Sequence, residues 1–248
     1  MFHPPRTTSL LVLVFLTNVA SASAQTATFS GRVTDQNTGL GIPEVAVVAV
    51  GNQTGARVAV TNGLGDYAIE MGTNTNIQVR AYRTKFVFNP LFTSFSSIGG
   101  PVTGLHPLNF EGTAWPISIL IFPLAPVLLT EDNSLQALAL DSLLLTRDPF
   151  SLINSNYFGS DKQTRIKLLV VDLDLFSGET LSIISVQAVD NQQIPYDLAV
   201  EDLRKVPATP WMSQLTVRLP NNISIPNELR VTVTARGFAS NAALIRAQ

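Results

Sequence analysis

Few side chains beyond residue 24 have the types and spacing needed for acid–base or nucleophilic chemistry. The one histidine there is His106, which precedes Pro107, and the chain contains no cysteine. A serine nucleophile needs a base beside it, and no Gly-x-Ser-x-Gly motif is present to position one. A metal site would have to combine one histidine with carboxylates. We therefore predict that His106 lies in an exposed loop, and that the chain has no catalytic residue, no metal site and no cofactor.

Paired carboxylates are the remaining route to hydrolysis, because glycosidases work with two of them across a cleft. Asp172 and Asp174 lie two residues apart and so share one face of a strand, and Glu201 and Asp202 are adjacent. Neither spacing indicates a cleft. We predict surface charges with ordinary pKa values, or ion-pair partners of nearby cations, which are Arg165, Arg204 and Lys205.

Two other groups of residues have a possible binding or structural role. Arg147-Asp148 and Asp161-x-x-x-Arg165 are predicted to form a buried ion-pair cluster that fixes the start of the C-terminal half, with a polar recognition site as the alternative. Aromatic rings with an exposed face would stack on a sugar, although most aromatic residues of β-sandwiches belong to the core. The candidates for such ligand contact are Trp115, Tyr157 and Trp211.

The composition of the chain excludes some partners and permits others. Of 248 residues, 46% are hydrophobic and 14% are charged, and the net charge is -2. Nucleic acids and anionic membranes would require a clustered basic face, so neither is an expected partner. The hydrophobic fraction is sufficient for two packed domains without disulfides.

The first 24 residues have the pattern of a secretory signal peptide. Arg6 precedes an apolar stretch at 10–16, and small residues end in Ala22-Ser23-Ala24. An uncleaved membrane anchor is the alternative, but a span of the bilayer takes roughly 20 apolar residues. We expect cleavage before Gln25, export to the cell surface or medium, and no transmembrane span afterwards.

Hydrophobic periodicity predicts an all-β protein. In the first half, alternation through Phe29, Gly31 and Val33 and a β-branched run at 45–50 indicate short antiparallel strands. Gly65 precedes Asp66-Tyr67 in a turn where we expect a positive φ, so that valine there should destabilise the fold. The predicted strands are 28–34, 45–50, 57–61, 66–70, 77–83, 86–88 and 108–111.

A proline-interrupted apolar stretch separates the two halves. Pro116, Pro123 and Pro126 exclude a helix between residues 114 and 130. The stretch is either an exposed patch that docks on a partner or, as we favour, an extended segment packed between two domains.

The second half continues the strand pattern. Residues 166–171 read as a central strand covered on both faces. The predicted strands are 138–146, 165–175, 183–189, 213–219, 229–235 and 242–246. We predict two consecutive antiparallel β-sandwich domains, at 25–113 and 134–248, that fold separately and are joined by a connector at 114–133.

Several short motifs follow one another in the first half. They are Ser30-Gly31-Arg32-Val33-Thr34-Asp35, Ile42-Pro43-x-Val45, Thr61-x-x-x-Gly65-x-Tyr67, the stretch 77–82, Phe88-x-Pro90, Val102-Thr103-Gly104 and Asn109-Phe110. In these motifs the first half resembles the carboxypeptidase regulatory-like domain, a transthyretin-like or starch-binding-like sandwich of bacterial envelope proteins. Asn62, where the family usually has aspartate, and a long loop at 91–100 depart from its pattern.

A second series of motifs follows in the other half. They are Thr146-Arg147-Asp148-Pro149-Phe150, Asn156 with Phe158, Asp161-x-x-Thr164-Arg165, Asp172-Leu173-x-Leu175, Trp211, Val217-Arg218-Leu219-Pro220 and Arg236-Gly237 with Ser240-Asn241. In these motifs the second half resembles an immunoglobulin-like C-terminal module of secreted and surface proteins of soil bacteria, for which no activity is established.

Together these patterns imply a non-enzymatic secreted or cell-surface protein that acts in adhesion, scaffolding or display. Its expected partners are cell-envelope proteins or polysaccharide. Carbohydrate binding is the alternative, implied by the starch-binding-like fold alone, and an accessory domain of an exported hydrolase system is a third.

Overall fold

The computed structural model describes residues 25–114, 124–157 and 159–248. Within these ranges the protein consists of eighteen β-strands and one 3₁₀ turn, Leu181–Ile183, which confirms the predicted all-β class. No helix in the described ranges is long and apolar enough to cross a membrane. The predicted signal peptide and Trp115 lie outside the described residues.

The N-terminal half, here called the first unit, contains nine strands in two sheets. One sheet has the order β4-β1-β9-β6 with β8 also pairing to β1, and the other has the order β3-β2-β5-β7. The strands are β1 Ala27–Asp35, β2 Ala46–Gly51, β3 Gly55–Val60, β4 Asp66–Met71, β5 Asn76–Tyr82, β6 Phe86–Asn89, β7 Thr93–Ser96, β8 Gly104–Pro107 and β9 Phe110–Ala114.

These two sheets enclose a common core. Phe29 and Phe110 from one sheet and Ile77 and Val79 from the other are fully buried in the same cluster. Strand β1 pairs in parallel with β8 and β9, so this sheet is mixed rather than purely antiparallel. Strands β7 and β8 were not among the predicted strands, because short strands with polar residues at alternate positions resemble loops.

The C-terminal half, here called the second unit, contains the other nine strands in one sheet. The order is β10-β12-β15-β14-β13-β16-β17, with β11 pairing to β12 and β18 to β16. The strands are β10 Val127–Leu128, β11 Ala139–Asp141, β12 Arg165–Val171, β13 Ile184–Val189, β14 Pro195–Val206, β15 Thr209–Arg218, β16 Asn227–Ala235, β17 Phe238–Ala239 and β18 Ala243–Ala247. Strand β10 falls within the stretch predicted as a connector.

Strand β14 joins the two parts of this sheet and is the longest strand that the periodicity missed. Its first residues, up to Leu198, pair with β13, and its remaining residues, from Ala199 onward, pair with β15. The register shifts between Val200 and Asp202, where one extra residue reverses the faces of the side chains. That shift breaks the alternation on which the prediction of a strand depends.

Strand β12 is covered on both faces, as predicted for residues 166–171. Ile166, Leu168 and Val170 belong to the core of the second unit. Val171 and Leu169 belong to a different apolar cluster, which contains residues of both units. The two units therefore share buried surface, and we expect each of them to be less stable alone than in the intact chain.

Several residues that the sequence singled out as structural meet in the first unit. The Tyr67 hydroxyl donates a 2.7 Å hydrogen bond to the carbonyl oxygen of Leu108. A Cβ atom on Gly31 would lie 1.9 Å from that same oxygen, so no side chain fits there. Gly65 adopts φ +84°, and its carbonyl oxygen accepts a 2.8 Å hydrogen bond from the Val33 N–H.

We expect Gly65→Ala to destabilise the protein by roughly 1–3 kcal/mol, because residues other than glycine are strained at positive φ. The added Cβ would also lie 2.3 Å from the carbonyl oxygen of Val33. Gly63 is the matched control, since its φ is not positive and a Cβ there would have no atom within 4 Å. Urea unfolding followed by circular dichroism measures both changes. Equal losses of stability in the two variants would contradict the strained-turn explanation.

Candidate functional site

Of the two described aromatic candidates for ligand contact, one is buried and the other is partly buried. Tyr157 is 8% exposed, and its hydroxyl lies 3.0 Å from Asp141 Oδ1 and 2.9 Å from the Arg165 carbonyl oxygen, the two acceptors available to its single proton. Trp211 is half-buried and packs against the apolar cluster shared by the two units. Both rings therefore serve packing in this structure.

The predicted ion-pair cluster of four residues divides into two separate groups. Asp161 accepts from Arg165 Nη1 at 2.8 Å and from Arg165 Nη2 at 3.0 Å, and Arg218 Nη1 donates to it at 2.8 Å. These guanidinium groups, Arg165 above all, hold the pKa of Asp161 well below its usual range. Glu201 completes this group by accepting from Arg165 Nε at 3.1 Å.

Arg147 and Asp148 take other partners, which corrects the prediction. Arg147 is largely exposed and pairs with Glu131 at 2.8 Å. Asp148 instead accepts from the backbone N–H of Arg246 at 3.0 Å and from its Nε at 3.1 Å. Adjacent residues of an extended chain point in opposite directions, so the two side chains cannot reach one cluster.

His106 lies in strand β8, which corrects the prediction of an exposed loop histidine. Its ring is half-buried and stacks on Phe29, with ring centroids 5.1 Å apart. Phe95 packs against it at 5.0 Å. Pairing of β8 with β1 places the imidazole over the aromatic edge of the core.

The region with the most unusual chemistry is the junction between the two units. The outer face of the four-stranded sheet contributes Val48 and Ala56 to an apolar cluster with Val127, Leu129 and Val171 of the second unit, and all five are buried. Val127 and Leu129, at the described end of the stretch predicted as a connector, are thus packed between the units.

A tight turn of the second unit adds polar contacts at the end of β3. The Thr130 hydroxyl accepts a 2.9 Å hydrogen bond from the Ala56 N–H. Asn133 Oδ1 accepts from the Gly72 N–H at 3.1 Å. Gly55 allows this approach, because a Cβ there would lie 2.2 Å from the Thr130 hydroxyl oxygen.

At the centre of the junction lies the guanidinium group of Arg80, which is 4% exposed. Its Nη2 donates to the carbonyl oxygen of Ala125 at 2.5 Å and lies 3.4 Å from Asp172 Oδ2. Both partners belong to the second unit. Asp172 follows directly after β12 and adopts φ +59°, a left-handed conformation that aims its carboxylate toward the first unit.

A second carboxylate, that of Asp174, extends this network. It accepts a 2.6 Å hydrogen bond from the hydroxyl of Tyr82, which shares a face of β5 with Arg80, and it contacts the ammonium group of Lys205. Arg236 donates to the Asp174 carbonyl oxygen at 2.5 Å and to Glu179 Oε1 at 2.7 Å. Burial, and then the Asp174 charge, raise the pKa of Tyr82.

The expectation of ordinary carboxylate pKa values is wrong for Asp172. Burial raises its pKa to about 7, an effect that the charge of Arg80 only partly offsets. The 3.4 Å separation explains the incomplete compensation, since Oδ2 of Asp172 accepts no hydrogen bond from any described residue. Burial also lowers the pKa of Arg80.

Sequence reasoning missed Arg80 and Tyr82, although a signal was present. Strand β5 alternates strictly between apolar and polar positions, with Ile77, Val79 and Ala81 in the core of the first unit. A polar face next to an apolar one usually faces water. Here that face meets the second unit, and its members are Asn76, Gln78, Arg80 and Tyr82.

Comparisons with known proteins add no family to this description. No protein-family model matches the chain, and no curated protein sequence matches it. The TIE protein of Bacillus anthracis is among the similar structures, at a TM-score of 0.30 and 6% identity over 90% of this chain and 31% of that one. BcpA, the major pilin subunit of Bacillus cereus, gives a TM-score of 0.29 and 6% identity, over 90% of this chain and 70% of that one.

A streptococcal ancillary pilin gives a TM-score of 0.28 and 11% identity, over 72% of this chain and 60% of that one. The chain thus spans about a third of the length of the TIE protein. Similarities at this level carry no argument about fold or function, and the architecture above rests on the strands and registers of this chain.

We expect Asp172→Leu to cost roughly 1–3 kcal/mol of unfolding free energy, because it removes the carboxyl oxygens beside the buried guanidinium group of Arg80, which cannot lose its proton. Arg80→Met should cost less, because Asp172 can take up a proton instead. A double-mutant cycle by urea unfolding measures the coupling.

Arg204→Met is the control for this cycle. Arg204 forms an exposed ion pair with Asp202, in which its side chain is 77% exposed, so its loss should cost at most about 1 kcal/mol. If Asp172→Leu cost no more than Arg204→Met, the buried pair would not stabilise the junction.

The raised pKa of Asp172 also predicts a pH dependence of stability. The folded state holds the Asp172 proton more tightly than the unfolded state does. The stability that this proton contributes is therefore fully present below about pH 4 and is lost as the pH rises through 7. The loss is at most about 4 kcal/mol, given 1.4 kcal/mol for each pKa unit. The groups that set this pKa are Arg80, Asp174, Lys205 and Arg236.

The measurement is the difference in unfolding free energy between the wild type and Asp172→Asn, taken every half pH unit from 4 to 8. The variant lacks the titrating group, so the difference isolates it from Asp161 and Glu179, whose lowered pKa values act in the opposite direction. A constant difference over this range would exclude a raised pKa.

Proposed function

We propose that the protein is an exported, non-enzymatic scaffold whose two β-units act as one rigid body in adhesion, scaffolding or display at the cell surface. The observation that supports this most strongly is the junction. Its ionisable side chains are paired with one another across the two units, with Arg80 on Asp172 and Tyr82 on Asp174. Side chains that are paired across the junction in this way hold the two units in a fixed orientation.

Export is supported by the leader pattern at residues 1–24. Secretion or display at the cell surface is the localisation implied by Arg6, the apolar stretch at 10–16 and Ala22-Ser23-Ala24. For that localisation the partners we propose are cell-envelope proteins or polysaccharide. The low net charge of -2 favours contacts through shape and hydrogen bonds over a charged surface.

The finer assignments form part of the same proposal. We propose that the first unit is a carboxypeptidase regulatory-like sandwich at 25–113, and that residues 134–248 of the second unit form an immunoglobulin-like module. The connector at 114–133 then supplies β10 to the sheet of the second unit. Support for the first comes from Gly31, Gly65 and Tyr67, which make close backbone contacts that other residue types would not make.

The scaffold proposal predicts that the two units unfold together. Protein collected from the medium or cell surface should begin at Gln25 by N-terminal sequencing. In native-state hydrogen exchange, the amides of β2 and β5 should open with the same free energy as those of β12 and β15, because a shared buried cluster couples them. Asp172→Leu, which removes the carboxyl oxygens beside Arg80, should make the two free energies of opening differ, and Arg204→Met should leave them equal.

Two results would overturn this proposal. One is independent opening of the two units in the wild-type chain. The other is turnover of ester, peptide or glycoside substrates by the purified protein that disappears in Asp172→Asn or Glu201→Gln, since such turnover would assign catalysis to these carboxylates.

A further inference from the structure

A cleft of about 370 Å³ opens at the junction, near the start of β5. The first unit contributes the side chains of Asn76 and Gln78, and the second contributes Arg230. Apolar groups complete its wall, among them Val50, Leu135 and Leu244. Small-molecule sites typically have volumes of about 300–1,000 Å³, so the cleft suits a compact ligand.

Hydrogen bonds hold the rim of this cleft in place. Asn52 Oδ1 accepts from the backbone N–H groups of Thr75 at 3.2 Å and Asn76 at 3.1 Å. On the opposite wall, Asn241 bonds both the N–H and the carbonyl oxygen of Leu128, each at 2.9 Å. Because the walls are fixed before any ligand arrives, little ordering would oppose binding.

Three other polar side chains of the cleft take no part in the hydrogen bonds that hold its rim. Within the described part of the chain, the side chains of Asn76, Gln78 and Arg230 make no hydrogen bond, and Arg230 makes no ion pair. Among the described residues that line the cleft there is no carboxylate, and Arg230 contributes a positive charge. These three side chains are free to contact a ligand.

The chemistry of these groups defines the ligand. A guanidinium group pairs with a carboxylate through two parallel hydrogen bonds. Carboxamides both donate and accept, which matches the hydroxyl groups of a sugar. The apolar wall suits the C–H face of a pyranose ring. A single cation matches a monoanion.

We propose that this cleft binds one uronic-acid unit, with its carboxylate on Arg230 and its hydroxyl groups on Asn76 and Gln78. The unit is either a free sugar acid or the end of an acidic polysaccharide. This site goes beyond the scaffold role and rests on the fixed junction of that proposal, since its walls come from both units. The scaffold role does not depend on the site.

The experiment is a calorimetric titration of the mature chain with D-galacturonate and D-glucuronate. Galactose tests the need for the carboxylate, and acetate and inorganic phosphate test the need for the sugar. At least one uronate should bind, and galactose, acetate and phosphate should each bind at least tenfold more weakly. A trigalacturonate that binds as tightly as the monomer identifies a polysaccharide end, and binding of the monomer alone identifies a free sugar acid.

Variants locate the binding. Arg230→Gln should weaken uronate binding at least tenfold without changing the stability of the protein, since Arg230 has no described partner to lose. Gln78→Ala should narrow the preference for uronate over acetate. Arg204→Gln, which removes an exposed arginine outside the cleft, should change neither the affinity for uronate nor the preference for uronate over acetate.

Several outcomes would overturn the site. Equal binding of uronate, acetate and phosphate would indicate an adventitious ion only. The site is also excluded if the trimer binds without the monomer, or if uronate binding survives Arg230→Gln. The same holds if no uronate binds at all. None of these outcomes would bear on the joint unfolding of the two units, so failure of this inference is distinguishable from failure of the scaffold proposal.

Discussion

The buried guanidinium group of Arg80 is the constraint on which the arrangement of the two units depends. An isolated charge inside a protein costs several kcal/mol, and an arginine cannot escape that cost by losing its proton. Its partners at the junction, the carboxyl group of Asp172 and the carbonyl oxygen of Ala125, both belong to the second unit. The first unit therefore cannot bury this face of its sheet in any arrangement that lacks those partners.

Strand β5 connects the core of the first unit to the junction and to the cleft. Its odd-numbered residues from Ile77 to Ala81 fill the core. Its even-numbered residues face the second unit, and the period of two keeps them in one line about 7 Å apart. At one end of this line Arg80 and Tyr82 lock onto carboxylates. At the other end the cleft remains open.

The sequence predicted structure well where the determining contacts are local and poorly where they are not. Alternation predicted β5, and a turn glycine predicted the positive φ of Gly65, because each depends on neighbours within a few residues. Strand β14 was not predicted, because a bulge in its middle reverses the faces on which its side chains lie and so breaks the alternation. Asp172 appeared to be a surface charge, since its partner Arg80 is far away in sequence and only the docked units bring them together. The same limit hid the cleft, whose walls come from both units.

The apolar part of the junction and its charged part have different effects. Burial of side chains such as Val48 and Val171 favours association but is non-directional, so the units could slide by a residue and retain most of that free energy. A hydrogen bond from Tyr82 to Asp174 tolerates no such shift, because a slide of one residue, about 3.3 Å along a strand, would break its 2.6 Å contact. Leaving Arg80 unpaired would cost more than the slip gains. The buried charges thus select one register, and in that register Arg230 comes to lie opposite Asn76 and Gln78.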